Sequence, residues 1–335
     1  MIGNIDRRTL LGLSAGTLVA SFAGGAAKAG DAPVRTTVLA QGLRFPEGPV
    51  AMADGSVIVT EIAAGRLTRV HADTTTEPVA ETGGGPNGIA LGPDGALYVC
   101  NNGGFEWSEV DGLLVPGHQA HDYSGGSIQR VDLATGDVAV LYEAVDGVPL
   151  KGPNDLVFDT RGGFWFTDHG KSRPRDRDYG GLYYARADGS MIVEALHGLY
   201  APNGIGLSPD GRTLYVALTF ERQVLAFDIV GEGRLDPGSG LLPGRPVASL
   251  PANRLLDSMA VGADGTVHVA TLLDAGITSI APDGATAFTP LADPLTTNIC
   301  FGGPDMRTAY ITLSGTGALV AMDWPAEGLR LNYAG

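Results

Sequence analysis

The chain has 335 residues and a formal net charge of −15 at pH 7. Such an acidic balance excludes the basic surface that nucleic-acid binding requires. Hydrophobic residues make up 44% of the chain and charged residues only 18%, so its 50 glycines and 21 prolines are typical of turn-dense β structure rather than of disorder.

The first 29 residues are predicted to be an export signal, not part of the fold. The twin-arginine pair Arg7-Arg8 precedes a mostly apolar run, 12–26, and the small-x-small sequence Ala27-Lys28-Ala29 has the form of a cleavage site. We expect the twin-arginine export machinery to deliver the mature chain, 30–335, to the bacterial periplasm. The alternative is an uncleaved anchor. After cleavage no stable membrane anchor is expected, because no other segment reaches about 18 uninterrupted apolar residues.

One pattern recurs six times: a polar residue is followed seven residues later by a tight turn. A short apolar stretch such as 89–91 precedes the turn, and a β-rich run such as 96–100 follows it. This pattern predicts a strand, a hairpin and a second strand in every repeat. The six polar residues are Glu47, Asn87, Asn154, Asn203, Asp257 and Asn298.

Six similar units of short strands predict an all-β fold, a six-bladed β-propeller that forms a single domain over residues 30–335. The last unit runs out near Trp324, whereas the strand-like run 35–40 has no blade of its own. We predict that this N-terminal strand completes the last blade and closes the ring, because an open ring would leave unpaired strand edges.

The first strands of a propeller line its central channel, so the six polar residues are expected to converge at one depth. Carboxylate and amide oxygens suit a hard divalent cation. We therefore predict one bound divalent cation, with Ca²⁺ as the first candidate and Zn²⁺, Mn²⁺, Mg²⁺ or Fe²⁺ as alternatives. The competing interpretation is that Asn and Asp before a strand bond their own backbone in a turn.

The second strands return to the same face and carry a second polar set at their ends. We expect Glu61, Asn101 and Asp168, together with Asn87, to contact a small-molecule substrate at the mouth. The long loops 102–125 and 169–180 lie on this face and are expected to roof one side of it, as a binding element or as surface decoration. The full second set is Glu61, Asn101, Asp168, Ala217, Thr271 and Thr312.

Several stretches resemble the senescence marker protein, gluconolactonase and luciferin-regenerating enzyme group of six-bladed propellers. In that family a divalent metal sits at the channel mouth, and the resemblance implies Glu47, Asn154, Asn203 and Asp257 as its ligands. One departure is His169, which stands where many members have proline. The matching stretches include Pro46-Glu47-Gly48-Pro49, Gly152-Pro153-Asn154-Asp155, Ala201-Pro202-Asn203-Gly204, Leu256-Asp257-Ser258-Met259 and Thr297-Asn298-Ile299-Cys300.

A calcium-like ion with open coordination positions can polarise an ester carbonyl while a carboxylate takes a proton from water. We therefore predict a metal-dependent hydrolase with Asp257 or Asp168 as the base and with His169 assisting proton transfer. The family implies a sugar lactone as substrate, although an organophosphate or another ester would use the same electrophile.

Two other functions stay open at this point. The first is a non-catalytic ligand-binding propeller whose calcium ion only ties the blades together, which a fully enclosed ion would favour. The second is a carbon–carbon or carbon–nitrogen bond-forming propeller, which would need an acid above an aromatic cage that includes Trp107 and Phe220.

Overall fold

The computed structural model describes residues 35–236, 238, 240, 243–251 and 253–334, so the predicted export signal lies outside the described residues. Every regular element within these ranges is a β-strand, and none of the described chain forms a helix that is long and apolar enough to cross a membrane.

The described strands form six antiparallel sheets of four or five strands, each of which is one predicted repeat, and two further two-stranded hairpins. The last sheet also takes up β1 (Thr37–Ala40). Blade one contains β2 (Pro46–Ala51), β3 (Val57–Glu61), β4 (Arg66–Val70) and β5 (Thr76–Glu81). Blade two contains β6 (Pro86–Leu91), β7 (Leu97–Asn101), β10 (Ser127–Val131) and β11 (Val138–Tyr142), with the hairpin β8 (Phe105–Val110) and β9 (Leu113–Gln119) inserted after β7.

The remaining blades follow the same order from the axis outward. A short hairpin, β12 (Ala144–Val145) and β13 (Val148–Pro149), leads to blade three, with β14 (Pro153–Phe158), β15 (Gly163–Asp168), β16 (Gly180–Arg186) and β17 (Ile192–Leu199). Blade four contains β18 (Pro202–Leu207), β19 (Thr213–Leu218), β20 (Gln223–Gly231), β21 (Arg234–Leu235) and β22 (Arg245–Ser249). Blade five contains β23 (Leu255–Val261), β24 (Val267–Leu272), β25 (Gly276–Ile280) and β26 (Thr286–Pro290). Blade six contains β27 (Thr296–Gly302), β28 (Thr308–Leu313) and β29 (Ala318–Asp323).

The N-terminal strand closes the ring as predicted. It is the outermost strand of blade six, where β1 runs antiparallel to β29 and pairs Thr37 with Ala321 and Ala40 with Leu319. The six-bladed propeller predicted from the repeats is thereby confirmed.

Side chains on the two faces of a blade pack against different neighbours. In β15, all six residues are buried. Phe164 lies 5.7 Å from Tyr98 of blade two, whereas Trp165 faces the other way and belongs to the core shared with blade four. Apolar residues on both faces of each strand therefore follow from a sheet that is covered on both sides.

Candidate functional site at the channel mouth

The innermost strands start in a way that directs polar side chains into the channel. Pro46, Pro86, Pro153 and Pro202 come directly before the polar residue in the first four blades. Proline is tolerated as the first residue of a strand because the ladder there needs no N–H donor. The regular pairing with the second strand is then interrupted in all of these blades, and such bulges change the direction of side chains.

Glycines allow the innermost strands of neighbouring blades to approach closely. Gly48 has a φ of +50°, and a Cβ atom there would lie 2.5 Å from the Asn87 carbonyl oxygen. A Cβ atom on Gly204 would lie 2.7 Å from the Asp257 carbonyl oxygen. Both contacts are too short for a side chain, so the narrow ring at the axis depends on glycine at these positions.

A cavity of about 230 Å³ occupies the channel mouth. Five of the six polar residues predicted from the repeat line it. The structure differs in blade six, where the irregular pairing falls before Asn298, so that Thr297 lines the cavity instead. Asn298 lies beneath and donates from Nδ2 to Glu47 Oε2 at 2.7 Å. The five residues of the predicted ring that line the cavity are Glu47, Asn87, Asn154, Asn203 and Asp257.

Two oxygens of this ring have no hydrogen-bond donor among the residues that the structure describes. Glu47 Oε2 accepts hydrogen bonds from Asn298 and from the Gly48 backbone N–H, but Glu47 Oε1 is buried without any donor among the described residues. Asn154 Oδ1 is likewise buried and has no partner within the described chain. Buried oxygens without a donor cost free energy, so each such atom calls for an unseen partner.

The acids near the axis repel one another. Burial raises the pKa of Glu47, and burial followed by the charge of Glu47 raises the pKa of Asp257 well above its usual value. The same two causes raise the pKa of Asp155 to about 7. Asp155 was not predicted as a site residue, although it follows Asn154 directly; it lines a second cavity, of about 420 Å³, at the opposite end of the channel.

This donor set fits a divalent cation. A cation would supply the missing partner of Glu47 Oε1 and Asn154 Oδ1 and would offset the repulsion between Glu47 and Asp257. Among the described residues, no group of three or more His, Cys, Asp or Glu has the arrangement of a metal site. A cation here would therefore depend on the amide oxygens of Asn154 and Asn203 as well as on the two carboxylates.

Asp168 has a different environment from the one predicted. Its carboxylate accepts backbone N–H bonds from Lys151 at 2.7 Å and from Gly152 and Gly170 at 2.8 Å. It is buried, and the described residues that line the cavity do not include it. This geometry does not support the predicted roles of Asp168 as base and substrate ligand, because its oxygens already hold the loop that enters β14.

Glu61 and Asn101 hold the entering loops of their own blades in the same way. Glu61 accepts from the Arg44 backbone N–H at 2.7 Å and from Thr68 Oγ1 at 2.6 Å. Asn101 Oδ1 accepts from the Gly85 backbone N–H at 2.9 Å. Neither is among the described residues that line the cavity, so their predicted substrate contacts are not supported. Asn87, the fourth predicted substrate residue, does line it.

The two long loops roof the mouth, as expected, but the first contains a hairpin that the sequence analysis missed. Strands β8 and β9 reach across to blade six, where the Leu114 N–H donates to the Gly315 carbonyl at 2.9 Å. The tip of this hairpin carries Asp111-Gly112, a turn signal that was available in the sequence. Trp107 packs 5.0 Å from Phe45, so of the two predicted cage aromatics only Phe220 is a described lining residue.

The second loop brings nitrogen-bearing side chains to the cavity. His169 lines it, as predicted, and burial, followed by the charge of Arg177, holds the pKa of His169 well below its usual value. Lys171 and Arg177 also line the cavity. The sequence places both residues in this loop, but it does not predict the burial of Lys171, which has only 1% of its surface exposed.

Comparison with known proteins identifies related chains. Residues 45–315 match the family model described as SMP-30/Gluconolactonase/LRE-like region. A gluconolactonase from Zymomonas mobilis is 26% identical over 209 residues, which cover 56% of this chain and 52% of that protein. The chain spans about half the length of this curated relative.

Solved structures share the fold. A gluconolactonase from Xanthomonas campestris superposes with a TM-score of 0.69 at 23% identity, over 87% of this chain and 90% of that one. Regucalcin from Agrobacterium tumefaciens, described as a calcium-binding protein, superposes with a TM-score of 0.69 at 18% identity, over 90% of this chain and 97% of that one.

Proposed function

Because this chain belongs to the SMP-30/Gluconolactonase/LRE-like family, we propose that it is a lactonase whose activity depends on a divalent cation at the channel mouth. The observation that carries the proposal is that two repelling carboxylates, Glu47 and Asp257, line one cavity together with oxygens of Glu47 and Asn154 that have no partner among the described residues. The gluconolactonase relative supports the reaction class, and the calcium-binding neighbour supports the choice of ion.

The proposed ligands are Glu47, Asn154, Asn203 and Asp257. All four offer oxygen, the donor that Ca²⁺ prefers, so Ca²⁺ is the first candidate. When bound, such a cation supplies Lewis-acid polarisation of the lactone carbonyl. The Asn203 amide is oriented by its neighbours, because its Nδ2 donates to Thr219 Oγ1 at 3.2 Å and its Oδ1 accepts from Ser258 Oγ at 3.4 Å.

The cavity-lining residues of the chain would supply the proton transfer that the reaction needs. Asp257 is only partly buried, so it is the acid best placed to take a proton from the attacking water. A neighbouring cation would lower its raised pKa and keep it ionised. Water adds to the carbonyl carbon, the ring C–O bond breaks, and the proton passes to the leaving oxygen to give the hydroxy acid.

His169 and Asn87 complete the cavity as neutral groups. The lowered pKa of His169 keeps its ring uncharged at neutral pH, so it can relay a proton or accept a hydrogen bond without adding charge. Asn87 lines the wall on the blade-two side and is suited to bind a substrate hydroxyl.

The test is a pH-stat assay of the purified protein against glucono-1,5-lactone, phenyl acetate and a phosphotriester. Each substrate is assayed as purified, after chelation, and after return of Ca²⁺, Zn²⁺, Mn²⁺ or Mg²⁺. We expect lactone hydrolysis that chelation abolishes and one of these ions restores. Hydrolysis that survives complete chelation would contradict the metal dependence.

A matched pair of variants locates the ion. Loss of a residue that only hydrogen-bonds to a metal ligand weakens metal binding by roughly 10- to 100-fold. Because Glu47 is proposed to bind the ion directly, Glu47→Gln should weaken Ca²⁺ binding in calorimetry by at least this factor. Asp228→Asn removes the same charge from an exposed position of β20 and should leave the affinity unchanged. Tight ion binding without hydrolysis of any substrate would instead favour the ligand-binding propeller.

A further inference from the structure

The loop between β15 and β16 places two cationic side chains at the mouth, and neither has a carboxylate partner among the described residues. Lys171 Nζ donates to the Gly104 carbonyl at 2.6 Å and lies 3.3 Å from Asn102 Oδ1. It also lies 3.9 Å from the centre of the Phe105 ring. These contacts fix the ammonium group against the hairpin β8–β9, but none of them neutralises its charge.

Arg177 is held in a similar manner. It donates to the His169 carbonyl at 2.7 Å and to Ser172 Oγ at 2.9 Å, and its guanidinium lies 5.1 Å from the centre of the Phe220 ring. Its Nε is buried and has no acceptor among the described residues.

A third cation of the loop provides the contrast. Arg173 pairs with Asp178 at 2.8 Å and also with Asp176. Within the described part of the chain, neither Lys171 nor Arg177 forms an ion pair with a carboxylate. The loop therefore neutralises Arg173, whereas Lys171 and Arg177, which line the cavity, have no carboxylate partner in the described chain.

Lys171 and Arg177 make the electrostatic potential on their side of the cavity more positive. Burial, with a smaller contribution from the charge of Arg177, lowers the pKa of Lys171 to about 7 against the opposing charges of Asp168 and Asp178. Burial also lowers the pKa of Arg177, against the opposing effects of Tyr200 and Asp178. A buried cation is costly unless an anion compensates it, and the cavity is the space from which an anion can come.

The position of the loop around the ring makes this charge asymmetric. Glu47 and Asp257 belong to blades one and five, which flank blade six, whereas Lys171 and Arg177 belong to blade three on the opposite side of the axis. The mouth is therefore acidic on one side and basic on the other. A substrate with a negative group would be attracted to the blade-three side of the mouth.

We propose that the substrate is a lactone bearing a carboxylate, and that Lys171 and Arg177 bind this carboxylate on the blade-three side of the cavity. The proposal rests on the proposed lactonase function. Arginine and lysine are the side chains that recognise carboxylates, through charge-assisted hydrogen bonds. The cavity of about 230 Å³ lies below the roughly 300–1,000 Å³ usual for ligand pockets, which suits a single sugar-acid ring.

The kinetic test compares glucaro-1,4-lactone, which carries a carboxylate, with neutral glucono-1,4-lactone. The wild-type protein should have the higher kcat/KM for the charged lactone. Lys171→Met and Arg177→Gln should each lower the ratio of the two values by about 10- to 100-fold, mainly through KM of the charged lactone, since a hydrogen bond to a charged group has that strength. Arg173→Gln, in the same loop, should leave the ratio unchanged, and Lys171→Arg should retain most of it.

A binding test separates this proposal from the catalytic one. Calorimetry with glucuronate, glucose and glucose 6-phosphate needs no hydrolysis, so it reports on the basic side even if the protein opens no lactone. Glucuronate should bind more tightly than glucose, and Lys171→Met should remove the difference. Equal binding of glucuronate and glucose, or a wild-type preference for the neutral lactone, would overturn the proposal. Tighter binding of glucose 6-phosphate than of glucuronate would overturn the carboxylate assignment.

Discussion

Two sets of polar residues lie side by side at the channel mouth, and both are largely buried, but their oxygens have different partners. Asp168, at the end of a second strand, accepts three backbone N–H bonds. Glu47, at the start of a first strand, has one oxygen with no donor in the described chain and repels Asp257. Burial and polarity are shared by the two sets, so the state of their hydrogen bonds separates structural residues from candidate functional ones.

The strongest challenge to this contrast is Asp257→Asn. We expect kcat/KM for the lactone to fall by about 100- to 10,000-fold, because the variant loses both a ligand charge and the proposed base. Steady-state kinetics at saturating Ca²⁺ measures the effect, and calorimetry reports the accompanying loss of ion affinity. Near-normal turnover of the variant would show that the Asp257 carboxylate has no role in the reaction.

His268 tests whether every unpartnered buried atom marks a ligand site. Its Nδ1 lies 2.8 Å from Ser279 Oγ, its Nε2 has no partner among the described residues, and burial lowers its pKa to about 4. It lies in blade five, packed 5.3 Å from the Phe301 ring.

The lowered pKa of His268 makes stability depend on pH. Below pH 6.5 the unfolded chain takes up the proton first, so stability falls as the pH drops from 6.5 towards 4 and is fully present above 6.5. The loss should approach about 3 kcal/mol, since one pKa unit corresponds to about 1.4 kcal/mol. Urea denaturation from pH 4 to 7.5 should show a flatter profile for His268→Gln. Parallel profiles would mean that another group controls the acid transition.

Asp168→Asn sharpens the comparison from the structural side. Asparagine keeps one acceptor oxygen for three backbone donors, so the free energy of unfolding should fall by about 1.5–3 kcal/mol. Ca²⁺ affinity should remain unchanged, because the carboxylate is not among the described cavity-lining residues. If denaturation shows normal stability while turnover falls 100-fold, Asp168 acts in catalysis after all.

On the stability of the metal-free protein, Glu47→Gln should have the smallest effect, and that effect should be stabilising. In the metal-free protein this change removes a buried charge that repels Asp257, so the melting temperature should rise by a few degrees, as about 1 kcal/mol would produce. With saturating Ca²⁺ the wild-type protein should have the higher melting temperature, since it binds the ion more tightly. A variant that melts below the wild-type protein in chelator would contradict the repulsion.

The fold could be predicted from the sequence because each blade corresponds to one copy of a repeated sequence pattern. Six copies of strand, turn and strand fixed the number of blades, and the orphan run before Glu47 identified the closing strand. The ring was predicted to within one residue: a single irregular pairing in β27 exchanges Asn298 for Thr297, and no sequence signal distinguishes the two.

The function of individual side chains was harder to predict. Register correctly placed Glu61, Asn101 and Asp168 on the mouth face, but register does not tell whether backbone N–H groups will saturate their oxygens. Burial of Lys171 depends on the hairpin β8–β9 folding over it from another blade. Such contacts between distant segments have no local signature, so charge patterns in the sequence could not reveal them.

The closing strand also determines the order in which the molecule can be completed. Strand β1 emerges from the ribosome before every other described strand, yet its partner β29 is among the last to be made. During synthesis the backbone of β1 therefore stays without its partner strand while the first five blades form. Joining strands so far apart in the chain carries a large loop-closure cost and slows folding. A circular permutant that places β1 directly after β29 would keep the same six blades but would pair the two strands in a local hairpin. Formation of the cavity at the channel mouth would then no longer have to wait for a long-range ring closure.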